Sequence, residues 1–485
     1  MRANTSPWGE MMTRVSELRA LAGALLLAST LGACDSPTPL AQTEGQPEEP
    51  AISMTSVLEG KFSTQAVVRC VVTVATEVVT CTSPQDPDAG APPPLGGYGN
   101  HVRLLPSSAR NVSDSLYFRM RMRVQNLLPQ TIGTHSGPIT GMRVFFHGLP
   151  VTTGGTGTVT VANADGTAEF TAVGQPYFQY DTKVASLEAS GFEWWRFNVP
   201  ASVNSFRFDV YVSTLLMPMV VFDMEVAGNR DVYVVNVDGS GLLRLTTSPA
   251  VDMTPTAAFE RVVFVSYRDG NAELYSVPIN GGAQTRLTFT TSNETEPALP
   301  ASNTKLAFIS DVSGMPRIMV GDADGGDAVG STVYGHGAAV EASPAWLVGH
   351  NQLTYMSTGN NTAGLFRLTL SNAKAVRLIG GPRTRFNPAV SPDGALVAHV
   401  VATTDATNSE VWIYDRNADA LTRFTQRRYP DRHPTFLHDG RIGWQFGLNG
   451  GGYRLRWSTL DGASAQTVST GTGDVTNPFG VPLRP

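Results

Sequence analysis

A proline recurs through the second half of the chain. Pro255, Pro297, Pro344, Pro388, Pro434 and Pro478 stand 42 to 47 residues apart. Each but the last is followed by an apolar run, a second run that usually carries an aromatic residue, and a polar turn. A period of that length is one propeller blade. Six copies predict a closed ring with almost no bare sheet edge. The expected fold class is therefore all-β, a six-bladed β-propeller over residues 215–485 preceded by a β-sandwich over 56–214.

Within the repeats, the first runs occupy 220–223, 262–266, 306–310, 353–357, 396–400 and 442–446. The next runs centre on Val232-Tyr233, Leu274-Tyr275, Ile318-Met319, Leu365-Phe366, Val411-Trp412 and Leu455. Asp238-Gly239, Asn280-Gly281, Asp324-Gly325 and Asp461-Gly462 follow as hairpin turns, where glycine permits a positive φ. The chain closes on Asn477-Pro478-Phe479-Gly480-Val481, an inner-strand motif with no blade after it. That strand is expected to complete blade one as a clasp, pairing backbone groups that would otherwise form two edges.

Two segments carry a family resemblance. One is Asp231-Val232-Tyr233-Val234-Val235-Asn236-Val237-Asp238-Gly239 with Arg244-Leu245-Thr246, Asp252 and Pro255; the other is Asn387-Pro388-Ala389-Val390-Ser391-Pro392-Asp393-Gly394. Both resemble the TolB-type propeller repeat, over about residues 218–482. Blades three and six depart from it, at Arg317-Ile318-Met319 and Thr467-Val468-Ser469. The resemblance implies an interaction module with envelope proteins as partners.

Residues 56–214 alternate with a period of two and show no such repeat. Leu116, Phe118, Met120, Met122 and Val124 interleave with Tyr117, Arg119, Arg121 and Arg123, giving one apolar and one cationic face. Phe206, Phe208, Val210 and Val212 interleave likewise with Arg207, Asp209 and Tyr211. Runs at 158–162 and 167–171 flank Ala164-Asp165-Gly166, a hairpin signal. Cys70 and Cys81 lie in two short β-like runs and are expected to form a disulfide in an oxidising compartment. Tyr177, Phe178, Tyr180, Trp194 and Trp195 offer aromatic surfaces for a glycan or, more commonly, for packing.

The N-terminus reads as a leader. Arg14 and Arg19 precede an apolar stretch at 21–31, too short for a permanent transmembrane helix. It ends in Leu31-Gly32-Ala33-Cys34, which resembles the lipobox of bacterial lipoprotein signals. The resemblance implies cleavage before Cys34 and acylation of that residue, so residues 1–33 are a signal peptide. Residues 34–55, rich in Pro, Glu, Gln, Ser and Thr, read as a disordered tether. The expected location is the cell envelope, with membrane attachment through Cys34.

Charged residues make up 16% of the chain and the net charge is −6, with no basic stripe of the kind nucleic acid requires. No nucleophile elbow, His-x-x-x-His or phosphate loop appears. His433 and His438 flank a short apolar run and read as structural. No catalytic residue, metal ligand or cofactor is expected, and a propeller lyase or hydrolase is the least favoured alternative.

The remaining signal is a charge asymmetry beside the recurring prolines. Asp252, Glu294, Glu296 and Glu341 occupy the first loops; Arg383, Arg385, Arg427, Arg428 and Arg432 occupy the next. Equivalent loops of successive blades are neighbours, so these residues predict a docking rim, acidic on one half and basic on the other.

Overall fold

The computed structural model describes residues 66–82 and 102–482, except 113–115, 129, 134–140, 169, 171, 215, 259, 325–331, 335–339, 348–350, 359–362, 381–384, 403–407, 427–428, 450, 463–464, 469 and 471–472. The expected leader and tether, Cys34, Arg383, Arg427 and Arg428 lie outside the described residues. Strands dominate; helix among the described residues is one 3-10 turn at Leu370–Asn372. None of it is a helix long and apolar enough to cross a membrane.

Two antiparallel sheets form first. One contains Val78–Thr82, Ala66–Thr73, Val203–Thr214, Met142–Phe146, Gln175–Tyr180 and Gly166–Ala168 in that order, with Val151–Gly155 also paired to Val203–Thr214. The other runs Val102–Val112, Tyr117–Asn126, Glu193–Asn198, Thr160–Val161. Alternation supplies each with one apolar face, and the two faces share one core. Phe146 lies 5.4 Å from Trp195, and Phe178 stacks on Trp195 at 4.5 Å. Cys70 pairs in register with Cys81 and is bonded to it.

The expected hairpin around Ala164-Asp165-Gly166 does not form. Thr160–Val161 pairs with Glu193–Asn198, whereas Gly166–Ala168 pairs with Gln175–Tyr180 in the opposite sheet. The turn crosses between layers, a distinction that local turn chemistry does not encode.

Six four-stranded sheets follow. Blade two is typical: Asp252–Ala258, Arg261–Ser266, Glu273–Pro278, Thr285–Arg286, inner to outer. The other inner strands are Glu294–Ala298, Glu341–Trp346, Arg385–Val390, Asp431–Phe436 and Asp474–Gly480. Each inner strand touches the next, and the last touches the first, so the ring is closed. Closure uses the clasp: Asp474–Gly480 pairs with Met219–Val226 of blade one, although over 200 residues separate them in sequence. Outer strands such as Leu243–Arg244 and Gln466–Thr467 are two residues long, which leaves little edge to pair.

A recurring lock explains the Arg-x-Thr element of the repeat. In blade one, Thr246 Oγ1 accepts the Val232 N–H at 3.0 Å while Arg244 bonds Asp231 at 2.6 Å. In blade two, Thr288 Oγ1 accepts the Leu274 N–H at 2.8 Å and Arg286 pairs with Glu273 at 2.9 Å. Blade five repeats it with Thr425 and Val411, and with Arg423 and Glu410. The outer strand is too short for a long ladder, so side chains tie it to its neighbour.

Candidate functional site

The recurring proline marks a bulge. In all six inner strands the register slips where the proline sits. The residue before it adopts a left-handed backbone every time: Thr254 (φ 48°), Glu296 (50°), Ser343 (52°), Asn387 (50°), His433 (43°) and Asn477 (49°). Proline ordinarily drives its predecessor to extended backbone, and left-handed non-glycine residues are uncommon. Bulges release a backbone N–H from the ladder and re-aim a side chain. The prolines themselves are buried and the six preceding residues are half-buried. The inner strands together ring the central axis, so these six polar residues recur at equivalent positions around it, as a crown.

Carboxylates capture two of the released N–H groups from the preceding blade. Asp223 Oδ2 accepts the Thr254 N–H at 3.0 Å, linking blades one and two. Glu296 Oε2 accepts the Ser343 N–H, linking blades three and four. Asp223 also accepts from Arg230 at 2.5 Å, from Asn477 Nδ2 at 2.6 Å and from the Thr476 hydroxyl. This carboxylate is fully used in holding the clasp. Burial raises the Glu296 carboxyl above its ordinary value. His433 Nδ1 lies 2.7 Å from Gln445 Oε1, and burial pushes the imidazole down to about 4, leaving it neutral at physiological pH. The crown therefore holds hydroxyl, amide, imidazole and carboxyl groups at fixed positions, with Glu296, Ser343, His433 and Asn477 already bonded within the ring. Among the described residues, no group of three or more His, Cys, Asp and Glu side chains could hold a metal ion.

The acidic half of the expected docking rim requires correction. Asp252, Glu294 and Glu341 open their inner strands and are buried, not displayed at a mouth. Asp252 pairs with Arg268 at 3.1 Å, and Arg268 stacks over Tyr275. Glu294 accepts from Thr290 at 2.8 Å and Ser310 at 3.0 Å, while burial pushes it up to about 7. Glu341 faces Arg317 at 4.0 Å. On the basic half, Arg385 is buried and Arg432 lies over the Tyr453 ring. Of the described rim residues, Glu296 alone belongs to the crown. The physical reason is strand position: Asp252, Glu294 and Glu341 lie two residues before the bulge, where the paired inner strand buries them.

Of the aromatic residues considered for a glycan, Phe178, Tyr180 and Trp195 are core. Trp194 and Tyr177 face outward and are covered in part by guanidinium groups of Arg119, Arg121 and Arg143.

No protein-family model matches the chain, and no curated protein matches it. Among solved structures, it is similar to TolB from Acinetobacter baumannii, with 16% identity and a TM-score of 0.49 over 55% of this chain and 67% of that one. It is similar to a putative TolB from Agrobacterium tumefaciens at 14% identity and a TM-score of 0.44, over 54% of this chain and 97% of that one. It is also similar to an oligogalacturonate lyase from Vibrio parahaemolyticus at 14% identity and a TM-score of 0.38, over 51% and 73%.

Proposed function

We propose that this protein is a non-enzymatic, lipid-anchored component of the bacterial cell envelope whose propeller is a scaffold for binding other envelope proteins. The supporting observation is the crown of Thr254, Glu296, Ser343, Asn387, His433 and Asn477, six half-buried polar side chains presented by one closed ring. Internal hydrogen bonds of Glu296, His433 and Asn477 fix these side chains, whose remaining polar capacity is what a partner would meet, and binding needs no activated nucleophile. The Leu31-Gly32-Ala33-Cys34 motif supports export and attachment through an acylated Cys34.

The test is affinity capture of the intact protein from its own envelope, followed by mass spectrometry, beside a variant carrying Ser343→Ala, Asn387→Ala and His433→Ala. Partners specific to the wild type are expected to be lost from the variant while its melting profile shows a folded ring. Retention of every partner by a folded variant would remove the crown as the binding site.

A further inference from the structure

Folding gathers arginines that a chain-wide average conceals. In Tyr117–Asn126, Phe118, Met120, Met122 and Val124 pack inward, so Tyr117, Arg119, Arg121 and Arg123 form the opposite row. Across the adjacent strands, Arg196 stands opposite Arg119, Trp194 opposite Arg121 and Arg103 opposite Gln125. Five guanidinium groups thus share the outer face of one sheet. None of these five is ion-paired with a carboxylate among the described residues, although Arg110 at the border pairs with Glu77 at 2.7 Å. Glu193, the acidic residue of the central strand pair, lies in the inward row with Trp195 and Phe197.

Aromatic rings hold the cations in place. Arg119 and Arg121 each lie 5.0 Å from the Trp194 ring centre, and Arg121 lies 4.1 Å from Phe192. Stacking fixes the plane of a guanidinium and leaves its edge N–H groups free for an oxyanion.

Apolar groups border the face. Leu116 precedes Tyr117–Asn126, and the Leu187 N–H bonds the Asn126 carbonyl at the strand's other end. Both leucines have left-handed backbone, at φ 52° and 66°, and both are exposed, 53% and 67%. A bulky residue in that conformation is an outlier that persists only where the surrounding structure enforces it. Phe192, beside Arg121, is 41% exposed. Unpaired cations bordered by exposed apolar side chains match a lipid surface, which offers phosphates outside and hydrocarbon beneath. The first strand begins at Ala66, 32 residues after Cys34. That much chain reaches about 110 Å at full extension, so an anchor at Cys34 keeps this sheet within reach of the bilayer.

We infer that the outer face bearing Arg103, Arg119, Arg121, Arg123 and Arg196 docks on the anionic phospholipid headgroups of the membrane that holds the anchor. The proximity in this inference rests on the lipid-anchor reading; the headgroup contact is a property of the face alone. The test uses the chain from residue 34 onward, as cleavage would leave it, with Cys34→Ser, sedimented with vesicles of phosphatidylcholine or of phosphatidylcholine mixed with phosphatidylglycerol. Selective binding to the mixed vesicles, weakened by salt, is expected. Arg123→Gln with Arg196→Gln, two exposed positions, should weaken it about thirtyfold without altering the melt. Equal binding to both vesicle types, or an unaffected double variant, overturns the inference. So does displacement by polygalacturonate or single-stranded DNA at a lower charge concentration than the lipid, which would assign the face to a soluble polyanion. The mass of residue 34 in the wild-type protein reports separately on the anchor: an unmodified cysteine removes the attachment and leaves the vesicle result to stand by itself.

Discussion

Asn477 donates its side-chain amide to Asp223 at 2.6 Å, joining residues 254 positions apart. The same carboxylate holds Arg230 and the Thr254 N–H, so one side chain serves the first blade, the second and the returning strand. Asp223→Ala leaves a half-buried arginine with the more exposed Glu225 and strands three further donors. The expected cost is about 3–5 kcal/mol, read from urea unfolding. Deleting residues 475–485 should lower the melting temperature more sharply still, because the whole inner strand of blade one goes with them. An unchanged melt in the deletion would show that the ring closes by other means.

Glu294 should make the protein less stable as pH rises. Burial lifts its carboxyl from 4.5 to about 7, so between those values the folded chain keeps a proton that the unfolded chain has released. Its Oε2 is buried without a hydrogen-bond partner, which suits a protonated acid. Glu294→Gln mimics that form. Its advantage over the wild type should grow through this window and level off near about 3 kcal/mol, as measured by denaturant titrations on either side of it.

The desolvated histidines act in the opposite sense. His399, His433 and His438 are each pushed down by burial from 6.5 to about 4. Between those values the unfolded chain binds protons that the folded one refuses, so stability rises with pH there. His399→Gln removes one such proton, and any penalty it carries at neutral pH should shrink as the pH falls toward 4. A constant penalty across that range would contradict the assignment. The two trends oppose, so single variants are needed to see either.

Thr288→Val tests the repeated lock. It deprives the buried Leu274 N–H of its acceptor while nearly preserving shape. A loss of about 1–3 kcal/mol is expected, with Thr288→Ser close to wild type in the same thermal melt.

Removing the Cys70–Cys81 bond by Cys70→Ala and Cys81→Ala should cost about 2–3 kcal/mol. The bond closes a short loop whose ends are 11 positions apart in sequence. Unfolding with and without reductant checks the same quantity in the wild type.

Blade number and strand order were legible because each repeat carries its own turn chemistry and apolar runs. Alternation likewise exposed Tyr117–Asn126 and its cationic row. The crown was harder to see. Asn387 and Asn477 tolerate left-handed backbone, but Thr254, Glu296, Ser343 and His433 give no local hint of it. A usable signal existed all the same: the residue before every recurring proline is polar. The buried state of Asp252 and Glu294 was not legible, since their partners Arg268, Thr290 and Ser310 become neighbours only through strand pairing and the tight turns beside it.

The returning strand also imposes an order on biosynthesis. Met219–Val226 emerges about 250 residues before Asp474–Gly480, the segment it must pair with. A product truncated anywhere in the preceding blades would leave two raw sheet margins, open to proteases or to stray strands. Synthesis of that one strand is thus tied to sealing of the annulus, and a chain that lacks it advertises itself for removal.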